Sequence, residues 1–259
     1  MAALSGARLA PDAESSLLIS NSHRFIFVHI PKTAGMSVRH ALTPYCNGAQ
    51  RKGLRRLVAN LPIQEDPEKV AFPLHVTARW ARRKLPSPVF DGYLKFAITR
   101  NPYDRAMSYV EFLRQTPRLR RHAQYCKASF LEALDMLGQR RRKETQADMV
   151  VGHDGQLLID RVLRLETLDA DFAALRDELG LPASVTLPWH NATDHGRYLD
   201  YYEHDAAARE KVAELFADDF RVFGYDLDPR KREAVAPPLY NQRLLVFKGL
   251  AQTGVRAVR

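Results

Sequence analysis

Apolar residues gather along the chain in two spacings. Short dense runs, "RFIFVHI" (24–30) and "YLKFAITR" (93–100), are rich in β-branched and aromatic residues and predict buried strands. "KVAFPLH" (69–75) and "GQLLIDRVLRLE" (155–166) predict two more strand-like segments. Between them the spacing widens to three and four. "GMSVRHALTPY" (35–45) predicts a helix stopped by Pro44, and "RKGLRRLVANLP" (51–62) a short basic one. "TARWARRKL" (77–85) predicts a helix capped by Thr77. In "NPYDRAMSYVEFLRQ" (101–115) Asn101 caps, Pro102 takes the first helical position and Asp104 lies in the first turn. "SFLEALDML" (129–137) and "TLDADFAALRDELG" (167–180), closed by Gly180, are helical, and "HDAAAREKVAELFADDFRVFGY" (204–225) reads as one long helix.

Strands alternating with helices predict an α/β fold, a mostly parallel sheet flanked by helices in a P-loop-like arrangement. Ligands of such sheets bind beyond the carboxyl ends of the strands. "PKTAGMS", His75 and "RNPYDRAMS" all fall at such ends. We expect a mobile arm over 1–24, a domain over 25–228 and a C-terminal extension over 229–259, whose "PPLYNQRLLVFKGL" reads as a docked helix or a tail.

Composition sharpens this picture at three points. The 259 residues suffice for one large domain with its own core. Cys46 and Cys126 make no disulfide framework and are expected reduced. No signal peptide and no stretch long and apolar enough for a membrane span is evident, so a cytoplasmic protein is expected. The net charge of +9 is unevenly spread. Residues 1–143 hold 25 Lys and Arg against 10 Asp and Glu, residues 144–228 hold 7 against 19, and the remainder 7 against 1. A basic half suggests an anionic ligand or partner, although any single run, such as Arg140 to Lys143, reads first as solvated surface. No helix-turn-helix, zinc or aromatic RNA-binding signature accompanies it, so nucleic acid is not expected as the partner.

The candidate chemistry starts in "HIPKTAGMS". A glycine-containing loop between a strand and a helix offers backbone N–H groups and a helix dipole to an anion. Gly35 permits a tight turn and close approach, Thr33 and Ser37 bring hydroxyls, and Lys32 brings a point charge. The loop fails the Walker A pattern, because the first glycine is missing and Lys32 precedes Gly35. "LLID", ending at Asp160, has a Walker B outline, but an apolar run ending in Asp is common and reads as structural. A second motif supplies what the first needs. Arg100 ends a strand and Ser108 lies in the second turn of the next helix, so a guanidinium fork and a hydroxyl can converge on one anion.

Together, in this order, the two motifs resemble the sulfotransferases. "HIPKTAGMS" is similar to their 5′-phosphosulfate loop and "ITRNPYDRAMSY" to their 3′-phosphate motif. The branch resembled is that of the carbohydrate sulfotransferases, including the chondroitin and heparan 2-O enzymes and bacterial relatives. "HVTARW", "RLETLDADF", "LPWHNAT" and "DDFRVFGY" extend the likeness from about Phe25 to Tyr225. The animal Golgi members carry an N-terminal anchor that has no counterpart here, which points to a bacterial-type enzyme. Ala34 and Met36 stand where Gly and Thr are frequent.

The resemblance implies 3′-phosphoadenosine 5′-phosphosulfate (PAPS) as donor and an acceptor with a free hydroxyl. Lys32 would support the leaving oxygen, and Pro31, Lys32, Thr33, Ala34, Gly35, Met36 and Ser37 would cradle the 5′-phosphosulfate. Arg100 and Ser108 would grip the 3′-phosphate. His75 matches the family's histidine and is the candidate base, with a structural or acceptor-binding role as the alternative. His29 reads instead as a core residue inside the first strand, and His190 and Asn191 as lining the nucleotide or acceptor site. Sulfuryl carries less charge than phosphoryl, so a lysine and backbone amides suffice and no metal is expected. The basic runs between Arg51 and Arg121 could receive an anionic glycan, though most read as surface. The competing reading is a P-loop-type nucleotide kinase or phosphotransferase, which Mg·ATP binding would favour.

Overall fold

The computed structural model describes residues 17–47, 58–73, 76–119, 121–139, 145–188 and 198–231. Four strands form one sheet in the order β1 (Leu17–Ser20), β2 (Phe25–Val28), β3 (Leu94–Thr99) and β4 (Arg161–Arg164). β2, β3 and β4 run parallel, and β1 pairs antiparallel along the outer edge of β2. Val28 lies opposite Ala97, and Thr99 opposite Arg164, so the segments leaving all three parallel strands emerge on one edge.

Alternation within each strand divides the core between two faces. Ile26, Val28, Ala97 and Val162 join the larger cluster. On that side lie α2 (Ala78–Lys84), α3 (Ser87–Gly92), α4 (Pro102–Gln115), α5 (His122–Lys127), α6 (Phe130–Gly138), α7 (Gln146–Val150), α9 (Ala206–Leu215) and α10 (Ala217–Phe223). Phe25, Phe27, Phe96, Ile98 and Leu163 face the smaller cluster, with α1 (Gly35–Leu42) and α8 (Leu168–Glu178). This is the α/β architecture that the alternating pattern predicts.

Local chemistry fixes the helix ends. The Asn101 side chain accepts from the Tyr103 N–H at 3.0 Å and Thr77 from the Trp80 N–H at 3.2 Å, both as expected of N-caps. Ser129 and Glu132 close a reciprocal capping box on α6. Gly180, at φ 64°, takes the left-handed turn after α8.

Four expectations need correction. The arm expected over 1–24 gives way earlier, because Leu17–Ser20 are wholly buried and paired to β2. This run is only four residues long between polar flanks, too short to show a period. Val70, Ala71 and Phe72 are buried without forming a strand. The run around Leu157 narrows to β4, because the Asp160 carboxylate turns aside to accept the Lys95 N–H at 2.8 Å and to pair with its ammonium at 3.0 Å. The long helix over 204–225 breaks at Phe216 into α9 and α10. After the break Asp219 lies fully buried beside the start of α7. The basic run at 51–57, Arg140–Lys143 and the extension beyond 231 lie outside the described residues.

Candidate active site

The loop between β2 and α1 is held in an unusual backbone shape. Lys32 and Ala34 both take left-handed conformations, at φ 69° and 58°. Such residues cost about 1–2 kcal/mol each when not glycine, so surrounding contacts must hold them. The Thr33 hydroxyl, fully buried, donates to the Ile30 carbonyl at 2.9 Å and ties the loop back on itself. The Ser37 N–H donates to the Ala34 carbonyl at 3.0 Å and opens α1. Among the described residues no side chain caps that helix N-terminus, and no acidic residue lies in its first turn. A free positive helix end is thus presented beside Lys32.

The left-handed positions of this tight turn are Lys32 and Ala34 rather than Gly35. Its role is space. A Cβ at Gly35 would stand 2.2 Å from the His29 ring. His29 lies just past the end of β2 rather than within it, half-buried, and its ring stacks on Phe27 at 5.9 Å.

The second motif reaches across to this loop. Arg100 leaves β3 and donates through one Nη to the Lys32 carbonyl at 3.3 Å and through the other to Asp104 at 2.6 Å. Arg105, in the first turn and a half of α4, donates through Nε to the Pro31 carbonyl at 3.1 Å. Two consecutive loop carbonyls are therefore turned toward α4 and covered by guanidinium groups. Asp104, Ser108 and Phe112 follow Arg100 at four-residue steps, a spacing that places side chains on one stripe of a helix. Ser108 is buried, while Phe112 is exposed and its ring lies 4.5 Å from the Lys32 Nζ.

Three cations thus crowd one loop. Burial first, and then the charges of Arg100 and Arg105, lower the Lys32 ammonium to about 8. Lys32 remains largely protonated at neutral pH and would gain from a nearby anion. The Arg100 Nε is buried and has no hydrogen-bond partner among the described residues. An orphaned buried donor beside an uncapped helix end and a depressed lysine fits a phosphate- or sulfate-bearing ligand.

A second layer holds Arg100. The Gln146 side chain accepts from the Arg100 N–H at 2.8 Å and donates to the Arg100 carbonyl at 2.9 Å. Asp219 in turn accepts the backbone N–H groups of Gln146 at 3.0 Å and Ala147 at 2.8 Å. Burial pushes the Asp219 carboxyl up, opposed by Arg105, whose guanidinium lies 3.8 Å away. On the other side Glu166 accepts from the Asn101 N–H at 2.7 Å and from the Tyr225 hydroxyl at 3.0 Å. Its carboxyl is also raised, chiefly by burial. Tyr225 stands 3.2 Å from the Thr99 hydroxyl, so the ends of β3 and β4 and the last turn of the domain meet at the start of α4.

The structure therefore brings Arg100 to the loop that holds Pro31, Lys32, Thr33, Ala34, Gly35 and Ser37, while Ser108 is buried in the second turn of α4 and Met36 is exposed. His75, His190 and Asn191 lie outside the described residues. Asp160 sits at the start of β4, the sheet edge opposite the loop, which fits its structural reading. Sequence reasoning gave no role to Arg105, Gln146, Glu166, Asp219 or Phe112. Glu166 and Asp219 do lie in the stretches "RLETLDADF" and "DDFRVFGY" that carry the family likeness, and the four-residue spacing from Arg100 reaches Phe112. Among the described residues no group of three or more His, Cys, Asp and Glu side chains could hold a metal ion, and no helix is long and apolar enough to cross a membrane.

A family model described as the sulfotransferase family matches residues 15–226. That span includes β1 and ends one residue after Tyr225. No curated protein and no solved structure matches the chain.

Proposed function

Because the chain belongs to the sulfotransferase family, we propose that it moves a sulfuryl group from PAPS to an acceptor hydroxyl, on a carbohydrate or glycoconjugate. The observation that carries this reading is the contact of Arg100 with the Lys32 carbonyl beside the start of α1, with Ser108 buried on α4 and following Arg100 and Asp104 at four-residue steps. A donor with two anionic groups asks for two such anchors. The loop amides up to Met36 and the Ser37 hydroxyl take the 5′-phosphosulfate, and Arg100 with Ser108 takes the 3′-phosphate, which separates this donor from ATP.

Transfer is an in-line displacement. The acceptor oxygen attacks sulfur, the bond from sulfur to the bridging phosphate oxygen breaks, and adenosine 3′,5′-bisphosphate leaves. Negative charge grows on the bridging oxygen, where the Lys32 ammonium supports it. The acceptor proton goes to a base, the role given to His75 by the family likeness. The basic surface of α2, with Arg82 and Arg83 exposed, suits an anionic glycan. The kinase reading gains nothing from Asp160, whose carboxylate is taken by Lys95.

The test is calorimetric titration without metal. Adenosine 3′,5′-bisphosphate should bind wild type, and Arg100→Ala should weaken it at least about tenfold, the loss of a charge-assisted contact of roughly 1.5–3 kcal/mol. A preference for Mg·ATP, or no binding of the bisphosphate, would put the kinase first.

A further inference from the structure

Phe112 is a large apolar side chain left 42% exposed. It lies one turn beyond Ser108 on the stripe of α4 that faces the loop, and its ring stands 4.5 Å from the Lys32 Nζ. An ammonium over a ring face is attracted by the ring quadrupole. The other charges acting on Lys32 repel it: Arg100, whose fork is shared with Asp104, and Arg105, which faces Asp219.

Building on the sulfuryl-transfer reading, we infer that Phe112 is a positioning residue for Lys32, holding its ammonium charged and aimed over the loop until the donor arrives. A lysine has a flexible four-carbon stem, and one with no fixed partner must be ordered during the reaction. The ring fixes the stem beforehand, yet attracts the ammonium less than an anion would. The 5′-phosphosulfate can therefore draw the ammonium off the ring without a large penalty. A carboxylate in the same place would compete with the donor. The apolar ring also shields the ammonium from water, and its face supports the charge that burial and the two arginines oppose.

Leucine and tyrosine separate these effects. Phe112→Leu keeps the apolar cover and removes the ring face, whereas Phe112→Tyr keeps both. The first measurement is the pH dependence of Lys32 acylation by acetic anhydride, followed by mass spectrometry without nucleotide. The second is bisphosphate release from saturating PAPS with water as acceptor, in which the water oxygen attacks sulfur and sulfate and protons are formed.

In Phe112→Leu the acylation midpoint should fall by about half a pH unit and release should slow about two- to fivefold, the range expected from a cation–π contact. Bisphosphate affinity should stay within about twofold, and Phe112→Tyr should behave as wild type. An unmoved midpoint in Phe112→Leu, with or without slower release, would overturn the proposal, as would failure of the tyrosine to restore both readouts. Failure of wild type to bind the bisphosphate would remove the sulfuryl-transfer reading instead. The midpoint, read without nucleotide, would still decide whether the ring holds Lys32.

Discussion

At the scale of single residues, the loop is shaped by contacts that its own sequence does not announce. Gly35 is needed because the His29 ring lies where a Cβ would go. Gly35→Ala should destabilise the protein by about 1–3 kcal/mol in urea denaturation, the usual range for an overpacked site. His29→Ala in the same chain should return most of that loss. A double variant as unstable as Gly35→Ala would show that the backbone, not the ring, sets the requirement. Lys32 and Ala34 carry the left-handed turns instead, and the carbonyls of Pro31 and Lys32 are held by Arg105 and Arg100. The strain in the loop is therefore offset by the residues that form the other half of the site.

At the scale of elements, the site depends on α7 as much as on the two motifs. This five-residue helix is too short to stand without tertiary support. It is held at its start by Asp219 of α10, and its Gln146 clasps both backbone polar groups of Arg100. Gln146→Ala would strand a half-buried N–H and carbonyl, at a cost of about 2–4 kcal/mol. It should also weaken bisphosphate binding about tenfold, because Arg100 loses its fixed exit from β3. Lost stability with unchanged affinity would show α7 to be scaffold only. The break at Phe216 belongs to this level: the apolar period runs through it, and after it Asp219 of α10 is seated against the start of α7.

At the scale of the whole molecule, two carboxyls are raised by burial in the layer behind the site, Glu166 and Asp219. A carboxyl whose folded value lies above its unfolded one contributes stability at acid pH, and that contribution is lost as pH rises through the folded value. For Glu166 the loss begins above the ordinary value of 4.5. Glu166→Gln removes this titration. Denaturant midpoints measured from pH 4 upward should show the wild type losing stability relative to Glu166→Gln as pH rises. A difference between the two that stays flat with pH would count against the raised value. The half-buried carboxylates Asp226 and Asp228 are lowered by their hydrogen bonds and act in the opposite sense, but they are common to both proteins and cancel.

The sequence by itself determined the α/β architecture, the placing of the two candidate motifs at strand ends and the caps that start α2 and α4. Each of these is local: a period of two or three to four, a capping side chain, or a run of about ten residues needs no distant partner to be read. Tertiary structure decided the rest. β1 became a strand because the edge of β2 was available, and Asp160 became an ion-pair partner because β3 placed Lys95 beside it. Arg105, Gln146, Asp219, Glu166 and Phe112 gained their roles from groups 46 to 80 positions away along the chain. Such pairings follow from the packing of helices on the sheet, and no periodicity within one segment encodes them.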